Sequence, residues 1–175
     1  MQSDRLTYSE IQRFRQWWLW VLCLVFPVSS LWALVQQIIV GSFFGSNPEG
    51  FMVLIILVII GGLFTWFMYT TGLDTEVYEE GLRIRFLPFH RNWRVYLFSY
   101  MQKAEAITYR PLMDYGGWGI RSGRKGKAYN VSGNKGVLLT FRDGNHVLIG
   151  SNNHQVLFSA VNEGILSNYK TESNN

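Results

Sequence analysis

The sequence predicts a membrane α-helical hairpin joined to a mainly β domain, in which a strongly bent sheet or small barrel is capped by a C-terminal helix. Three observations predict this class. Two long apolar segments fill the first part of the chain, alternating apolar and charged residues begin near Thr75, and an apolar pattern with helical spacing closes the sequence. The remaining hundred residues or so, out of 175, are enough for about one small domain.

The two apolar segments run from about Trp17 to Val40 and over residues 51–69, and Glu49 is the only charged residue between Arg15 and Asp74. A helix rises about 1.5 Å per residue and the hydrocarbon core of a bilayer is about 30 Å thick, so each segment is long enough to cross it. Because a second apolar segment follows the first, we expect both to stay in the protein as membrane spans and not to form a cleaved signal peptide.

Basic residues flank the hairpin, and the connection over residues 41–50 carries no Lys or Arg. Three arginines precede the first span and four follow the second: Arg5, Arg13 and Arg15, then Arg83, Arg85, Arg91 and Arg94. The positive-inside rule therefore predicts a multi-pass protein of the cell membrane, with both termini and the β domain in the cytoplasm.

Residues 1–16 are predicted to be a separate N-terminal segment. Thr7 and Glu10 have the spacing of a capping box, and the apolar residues that follow could share one face of a helix. Two interpretations stay open, a short interfacial helix or an extension of the first span. The helical hairpin then covers residues 17–73 and the β domain residues 74–175.

Small and helix-breaking residues lie inside the two spans. Pro27 is expected to bend the first span, with Ser29 or Ser30 available to satisfy the freed backbone groups. Gly61 and Gly62 in the second span allow two helices to approach closely. These positions favour helix packing over chemistry.

After the second span, apolar and charged residues alternate with a period of two. Residues 75–79 and 81–86 alternate around Glu80 and Gly81, which predicts a β-hairpin. Glycine-bounded segments predict further strands, for a total of about seven, and part of residues 93–101 could form a helical turn. A helix is predicted from His154 to about Tyr169. The other predicted strands are residues 104–110, 118–121, 127–131, 137–142 and 146–149.

Residues 80–85, 115–121, 128–133 and 143–151 together resemble a family of membrane-anchored bacterial proteins with a pleckstrin-homology-like domain and uncharacterised function. The resemblance implies a pleckstrin-homology-like bent sheet or barrel of about seven strands, capped by the C-terminal helix and anchored in the inner membrane. It implies no activity, because one fold serves many functions.

Residues 115–136 combine seven glycines with basic side chains. The segment lacks the Ser or Thr that follows the lysine of a Walker loop and the third glycine of a dinucleotide-binding fingerprint. Two interpretations remain, a solvated hairpin or contact with anionic lipid headgroups or an acidic partner. The candidate binding residues are Arg121, Arg124, Lys125 and Lys127.

Aromatic residues are numerous for a domain of this size, and Tyr and Trp are enriched at protein interfaces. We therefore expect a homo-oligomer, with an unidentified membrane protein as a further possible partner. The candidate interface residues are Trp93, Tyr115 and Trp118.

The sequence contains no clear arrangement of catalytic or metal-binding residues. Asp143 with His146, or Ser151 with His154, could be drawn as catalytic pairs, but turn and helix-capping roles explain them. The histidines lack metal-ligand spacing, and a net charge of +4 is modest, so we expect no metal, no cofactor and no nucleic-acid partner. The sequence favours a non-enzymatic binding or assembly module, and the alternative is a small accessory membrane enzyme or transporter subunit.

Overall fold

The structure is a computed structural model that describes residues 5–40, 48–123 and 125–173. The chain forms two compact units. One, called the apolar hairpin here, runs from Phe14 to Thr71, and the other, called the β domain, contains the residues up to Arg13 and those from Gly72 onward. Most of the predicted connection, residues 41–47, lies outside the described residues.

The apolar hairpin contains helix α1, Trp17–Val40, and helix α2, Pro48–Thr70. Both are long and apolar enough to cross a membrane, with mean hydropathies of 2.1 and 2.6 over their most apolar windows. Their side chains are mostly exposed, since 17% of the first window and 6% of the second are buried. The prediction of two long apolar helices is confirmed.

The two helices pack at Pro27, where α2 presents a glycine. A Cβ atom added to Gly61 would lie 2.9 Å from the Pro27 Cβ, so only glycine fits without a shift. Proline has no N–H to give to the carbonyl of Cys23. The Thr65 hydroxyl lies 3.3 Å from that oxygen while donating at 2.8 Å to the Gly61 carbonyl. The hydroxyl beside the free Cys23 carbonyl therefore belongs to Thr65 of α2. Ser29, expected from the sequence to fill this role, instead donates to the Phe26 carbonyl of its own helix.

The described residues form nine strands in two sheets, and these sheets do not close into a barrel. The first sheet has the order β1-β2-β3-β4 and the second the order β5-β8-β9-β7-β6. All neighbours are antiparallel except β7 and β9. The strands are β1 Leu6–Arg13, β2 Gly72–Tyr78, β3 Gly81–Leu87, β4 Arg94–Leu97, β5 Met101–Thr108, β6 Gly119–Gly123, β7 Gly126–Asn130, β8 Lys135–Phe141 and β9 His146–Gly150.

Strand β1 corrects the expectation of a helix in the N-terminal segment. It pairs with β2 from Leu6 to Arg13, so the apolar hairpin is inserted between two neighbouring strands of one sheet. Burial alternates along β1, with Tyr8, Glu10 and Gln12 on the covered face and Thr7, Ser9 and Ile11 exposed, as expected for a strand with one face in water. Its partner lies about sixty residues away along the chain, so a local pattern could not reveal the pairing.

The remaining predicted elements are confirmed with small shifts. The hairpin of β2 and β3 forms around Glu80, and a 3-10 turn, Phe98–Tyr100, follows β4 where a helical turn was expected. Helix α4, His154–Ser173, closes the chain. A short helix that the sequence did not predict, α3, covers Pro111–Tyr115.

Helix α4 supplies part of the β-domain core. Leu157, Val161 and Ile165 repeat at helical spacing and are almost fully buried. Gly164 lies against the ring of Phe98, which leaves no room for a Cβ atom. The amphipathic pattern read from the sequence is therefore the face that packs on the β domain.

Candidate binding site

A cleft of about 510 Å³ lies between β4 and the five-stranded sheet. Its walls are largely apolar and include Val95 and Leu97 from β4 and Val147 from β9. The rings of Tyr96 and Phe141 meet there with their centroids 5.5 Å apart. Because β4 is at the edge of its sheet, its outer main-chain groups are available to an extended ligand.

Polar groups stand at the rim of the cleft. Lys127 and His146 both line it, and His146 Nδ1 lies 3.2 Å from the Thr140 hydroxyl. The Asp143 carboxylate accepts the backbone N–H of Asn145 at 3.0 Å and its side-chain amide at 2.6 Å. These hydrogen bonds lower the pKa of Asp143 below its ordinary value. The rim therefore carries charges of both signs.

Two tyrosines and an arginine form the polar floor beside the cleft. Arg94 Nη1 donates to the Tyr129 hydroxyl at 3.1 Å. Burial raises the pKa of Tyr96 well above its ordinary value, and the hydrogen bond with Tyr129 raises it further. The Tyr96 hydroxyl thus stays protonated at neutral pH and acts as a neutral hydrogen-bonding group.

The predicted basic residues are not brought together on one surface. In the register of β6 and β7, Arg121 faces Ala128 and Ser122 faces Lys127. Residues directly opposed across antiparallel strands share a face, and successive residues alternate. Arg121 and Lys127 therefore lie on opposite faces of this hairpin, and Lys127 is the one that lines the cleft.

The other basic candidates differ in their partners. Lys125 Nζ forms an ion pair with the Asp114 carboxylate at 3.0 Å, and Arg121 Nε donates to the Trp118 carbonyl at 2.9 Å. The pKa of Asp114 is lowered by the backbone N–H of Arg110 and then by Lys125. Arg124 lies outside the described residues. The described candidates are exposed but do not form one compact anion site.

The three candidate interface aromatics have different environments. Tyr115 is 6% exposed and packs in a small core with Tyr109, so it offers almost no surface for an interface. Trp93 is half-buried, with the Arg85 guanidinium 4.6 Å from its ring centroid. Trp118 is also half-buried and donates its indole N–H to a backbone carbonyl. The two tryptophans keep some exposed surface, whereas the tyrosine is a core residue.

A carboxylate cluster that the sequence did not indicate connects β1 with the start of α4. Glu10 Oε2 accepts hydrogen bonds from the Tyr8 hydroxyl at 2.7 Å and the Ser151 hydroxyl at 2.6 Å. Glu10 Oε1 accepts the backbone N–H of Asn152 at 2.9 Å. Burial is the main reason that the pKa of Tyr8 rises to about 12. Glu10, read in the sequence as part of a local cap, instead binds the turn before a helix about 140 residues away.

A second unpredicted cluster lies where the chain leaves the β domain. Asp74 forms ion pairs with Arg13 at 2.6 Å and with Arg85 at 3.0 Å, and its side chain is 7% exposed. Register explains the grouping, because Arg85 is the partner of Asp74 and Arg13 is the partner of Gly72. No local pattern indicated this cluster, although its arginines had been counted for topology.

The residues of the two possible catalytic pairs are engaged elsewhere. Asp143 binds Asn145, and Ser151 donates to Glu10. Across the described ranges, no group of three or more His, Cys, Asp or Glu side chains could hold a metal ion. The absence of an enzymatic activity and of a cofactor stays a prediction.

The sequence matches no protein-family model and no curated protein. The resemblance to pleckstrin-homology-like proteins therefore stays a prediction, and the functional argument depends on the geometry of this chain.

Proposed function

We propose that this protein is a non-enzymatic, membrane-anchored binding or assembly module that self-associates through its apolar hairpin. The observation that carries the proposal is the insertion of two long, exposed apolar helices between β1 and β2. Arg13 and Gly72, where the chain leaves and re-enters the β domain, are register partners. Because the two ends of the inserted hairpin are paired in one sheet, the hairpin is suited to anchor the folded β domain in a membrane.

The membrane is the natural environment for this hairpin. Large apolar side chains are exposed along α1 and α2, among them Phe26, Ile56 and Ile60. Such a surface would aggregate in water but is fully compatible with lipid. Trp17 and Trp66 are also exposed, as expected for interfacial anchors at the end of the hairpin where α1 begins and α2 ends.

The proposed orientation places both termini and the β domain in the cytoplasm, at the inner membrane of a bacterium. Since Arg13 and Gly72 pair in one sheet, both ends of the hairpin must emerge on the same side. The arginines on both flanks then select the cytoplasmic side by the positive-inside rule. The strand pairing supports the two-span topology independently of the charges.

Self-association is supported by an open groove on the hairpin. It has a volume of about 440 Å³ and is lined by residues of both helices, including Leu24, Val58 and Gly62. Nothing lies within 4 Å of a Cβ atom added to Gly62, whereas Gly61 is filled by Pro27. Small residues at an open surface let a second helix approach closely in lipid, where packing drives association.

The β domain supplies the binding part of the proposal. The cleft beside β4 offers apolar walls, an edge strand and Lys127 at its rim. Arg121 and Lys125 add exposed positive charge on the hairpin of β6 and β7, which favours anionic headgroups or an acidic partner. The ligand class for the cleft that these features favour is an extended peptide segment.

The test is the mass of the purified protein in lipid nanodiscs. We expect a discrete homo-oligomer for the unchanged chain and a shift toward monomer for Gly62→Leu, because the added side chain blocks close approach. Val53→Leu, an exposed position on α2 outside the groove, is the matched control and should keep the oligomer. A monomer at all concentrations in native lipid would overturn the assembly proposal.

A further inference from the structure

The loop between β3 and β4, residues 88–93, lies at one particular end of the four-stranded sheet. Its preceding residue, Leu87, is the register partner of Gly72, and Gly72 is in turn the partner of Arg13. The two residues that lead directly into the apolar hairpin are therefore next to the start of this loop in the same sheet. Gly72 follows the last residue of α2, Thr70, by two positions.

A buried histidine fixes the loop. The His90 Nδ1 accepts the backbone N–H of Phe86 at 3.3 Å, and the backbone N–H of His90 donates to the Phe86 carbonyl at 2.8 Å. The His90 ring packs edge-on against the Tyr129 ring, with the two ring centroids 5.7 Å apart. Burial, and to a smaller extent the positive charge of Arg94, lowers the pKa of His90 below its ordinary value. The neutral imidazole therefore anchors the middle of the loop to the sheet.

With His90 turned inward, its neighbours face outward. Phe89 is 62% exposed although its ring lies 6.2 Å from that of Phe86, and Pro88, Arg91 and Asn92 are exposed as well. The anchored loop and the contact with Phe86 restrict the Phe89 side chain, yet most of its surface stays exposed. Phe89 is thus presented at the same end of the sheet as the connections to the apolar hairpin.

Charge distinguishes the two ends of this sheet. The end with the loop carries Arg91 and Arg94 together with the pair of arginines around Asp74. The turn at the other end, between β2 and β3, exposes Glu79 and Glu80. Arg5 and Arg83 lie toward the second end and partly offset its carboxylates, so an anionic surface would attract the first end more strongly. Charge complementarity therefore favours the same end as the covalent connection to the hairpin.

We infer that the loop of residues 88–93 is a second membrane contact, in which Phe89 enters the headgroup region of an anionic bilayer and Arg91 binds lipid phosphate. The inference rests on the proposed membrane anchoring and adds to it a defined lipid-facing end of the β domain. Phenylalanine gains by leaving water at the interface, and an adjacent arginine keeps its charge among the phosphates. The loop would hold the domain in one orientation above the lipid.

The experiment uses the full chain in bilayers of phosphatidylcholine and phosphatidylglycerol, with Cys23→Ala to remove the natural thiol. Nitroxide labels are placed at Phe89→Cys, Leu57→Cys and Tyr100→Cys in separate chains. Tyr100 is the matched control, since it is an aromatic residue that is 66% exposed and follows the opposite end of β4. Accessibility to oxygen and to a water-soluble nickel chelate reports the depth of each label.

We expect the label at position 57 to be the deepest, that at 89 to be intermediate and that at 100 to be in water. Adding Arg91→Gln, or omitting phosphatidylglycerol, should shift the label at 89 toward water. If labels at 89 and 100 are equally accessible to nickel while that at 57 lies in lipid, the loop contact is wrong and the anchor stands. A label at 57 in water would overturn the anchor and this inference together.

Discussion

Glu10 shows how much one side chain can contribute to this fold. Its two carboxylate oxygens accept three hydrogen bonds, from Tyr8 in its own strand and from Ser151 and Asn152 before α4. Hydrogen bonds to a charged group are about twice as strong as neutral ones. The cluster therefore ties the N-terminal strand to the last helix of the β domain.

We predict that Glu10→Gln lowers the free energy of unfolding of the β domain by about 1–3 kcal/mol, since the amide cannot accept all three hydrogen bonds as a carboxylate does. Urea unfolding of the full chain in mild detergent, followed by tryptophan fluorescence, measures the change. Glu79→Gln, at an exposed turn position, is the control and should have a much smaller effect. Equal effects of the two substitutions would show that the cluster adds no stability.

Strand β1 and the pairing of α1 with α2 are the elements on which the architecture depends. β1 supplies the outer neighbour of β2, so the β domain is built from two separated parts of the chain. In the apolar hairpin, Gly61 receives Pro27, and Thr65 lies beside the carbonyl that the proline leaves free. Each contact joins segments that are distant in sequence.

We predict different outcomes for the same substitution at two neighbouring glycines of α2. Gly61→Ala should weaken the packing of α1 on α2 by roughly 1–3 kcal/mol, because the new methyl group overlaps Pro27. Gly62→Ala, which meets open space, should leave that packing unchanged. The midpoint of sodium dodecyl sulfate unfolding for each variant gives the comparison. Indistinguishable midpoints would contradict the observed helix contact.

The whole molecule is organised by the insertion of the hairpin into the first sheet. Because the ends of the insertion are paired residues, the proposed anchor requires both helix ends to emerge on one side of the membrane. Seven arginines on the two flanks predict, by the positive-inside rule, that this side is the cytoplasm. The strand pairing thus supports an even number of crossings, and the charges support the proposed direction.

The topology prediction is tested with single cysteines in a chain that carries Cys23→Ala. Ser46→Cys, in the connection between the helices, should react with a membrane-impermeant thiol reagent on intact cells, and Ser122→Cys, at an exposed position of β6, should react only after lysis. Reaction at Ser122 alone would reverse the orientation. Reaction at both sites in intact cells would contradict a two-span anchor.

Local patterns in the sequence were sufficient to predict the main helices and several strands. Long, mostly apolar runs defined α1 and α2 to within a few residues, and the period of two after Thr75 defined β2 and β3. The amphipathic spacing after Asn153 defined α4. These patterns succeed because a helix or a strand must match its side-chain period to the environment on each of its faces.

Tertiary structure alone decided the contacts between distant segments. The pairing of β1, the convergence of Glu10 with Ser151 and the meeting of Gly61 with Pro27 join residues that no local pattern connects. The separation of Arg121 from Lys127 onto two faces likewise follows from strand register, although the sequence places both in one basic segment. Composition records which side chains are present, but only the folded backbone determines which of them share a surface.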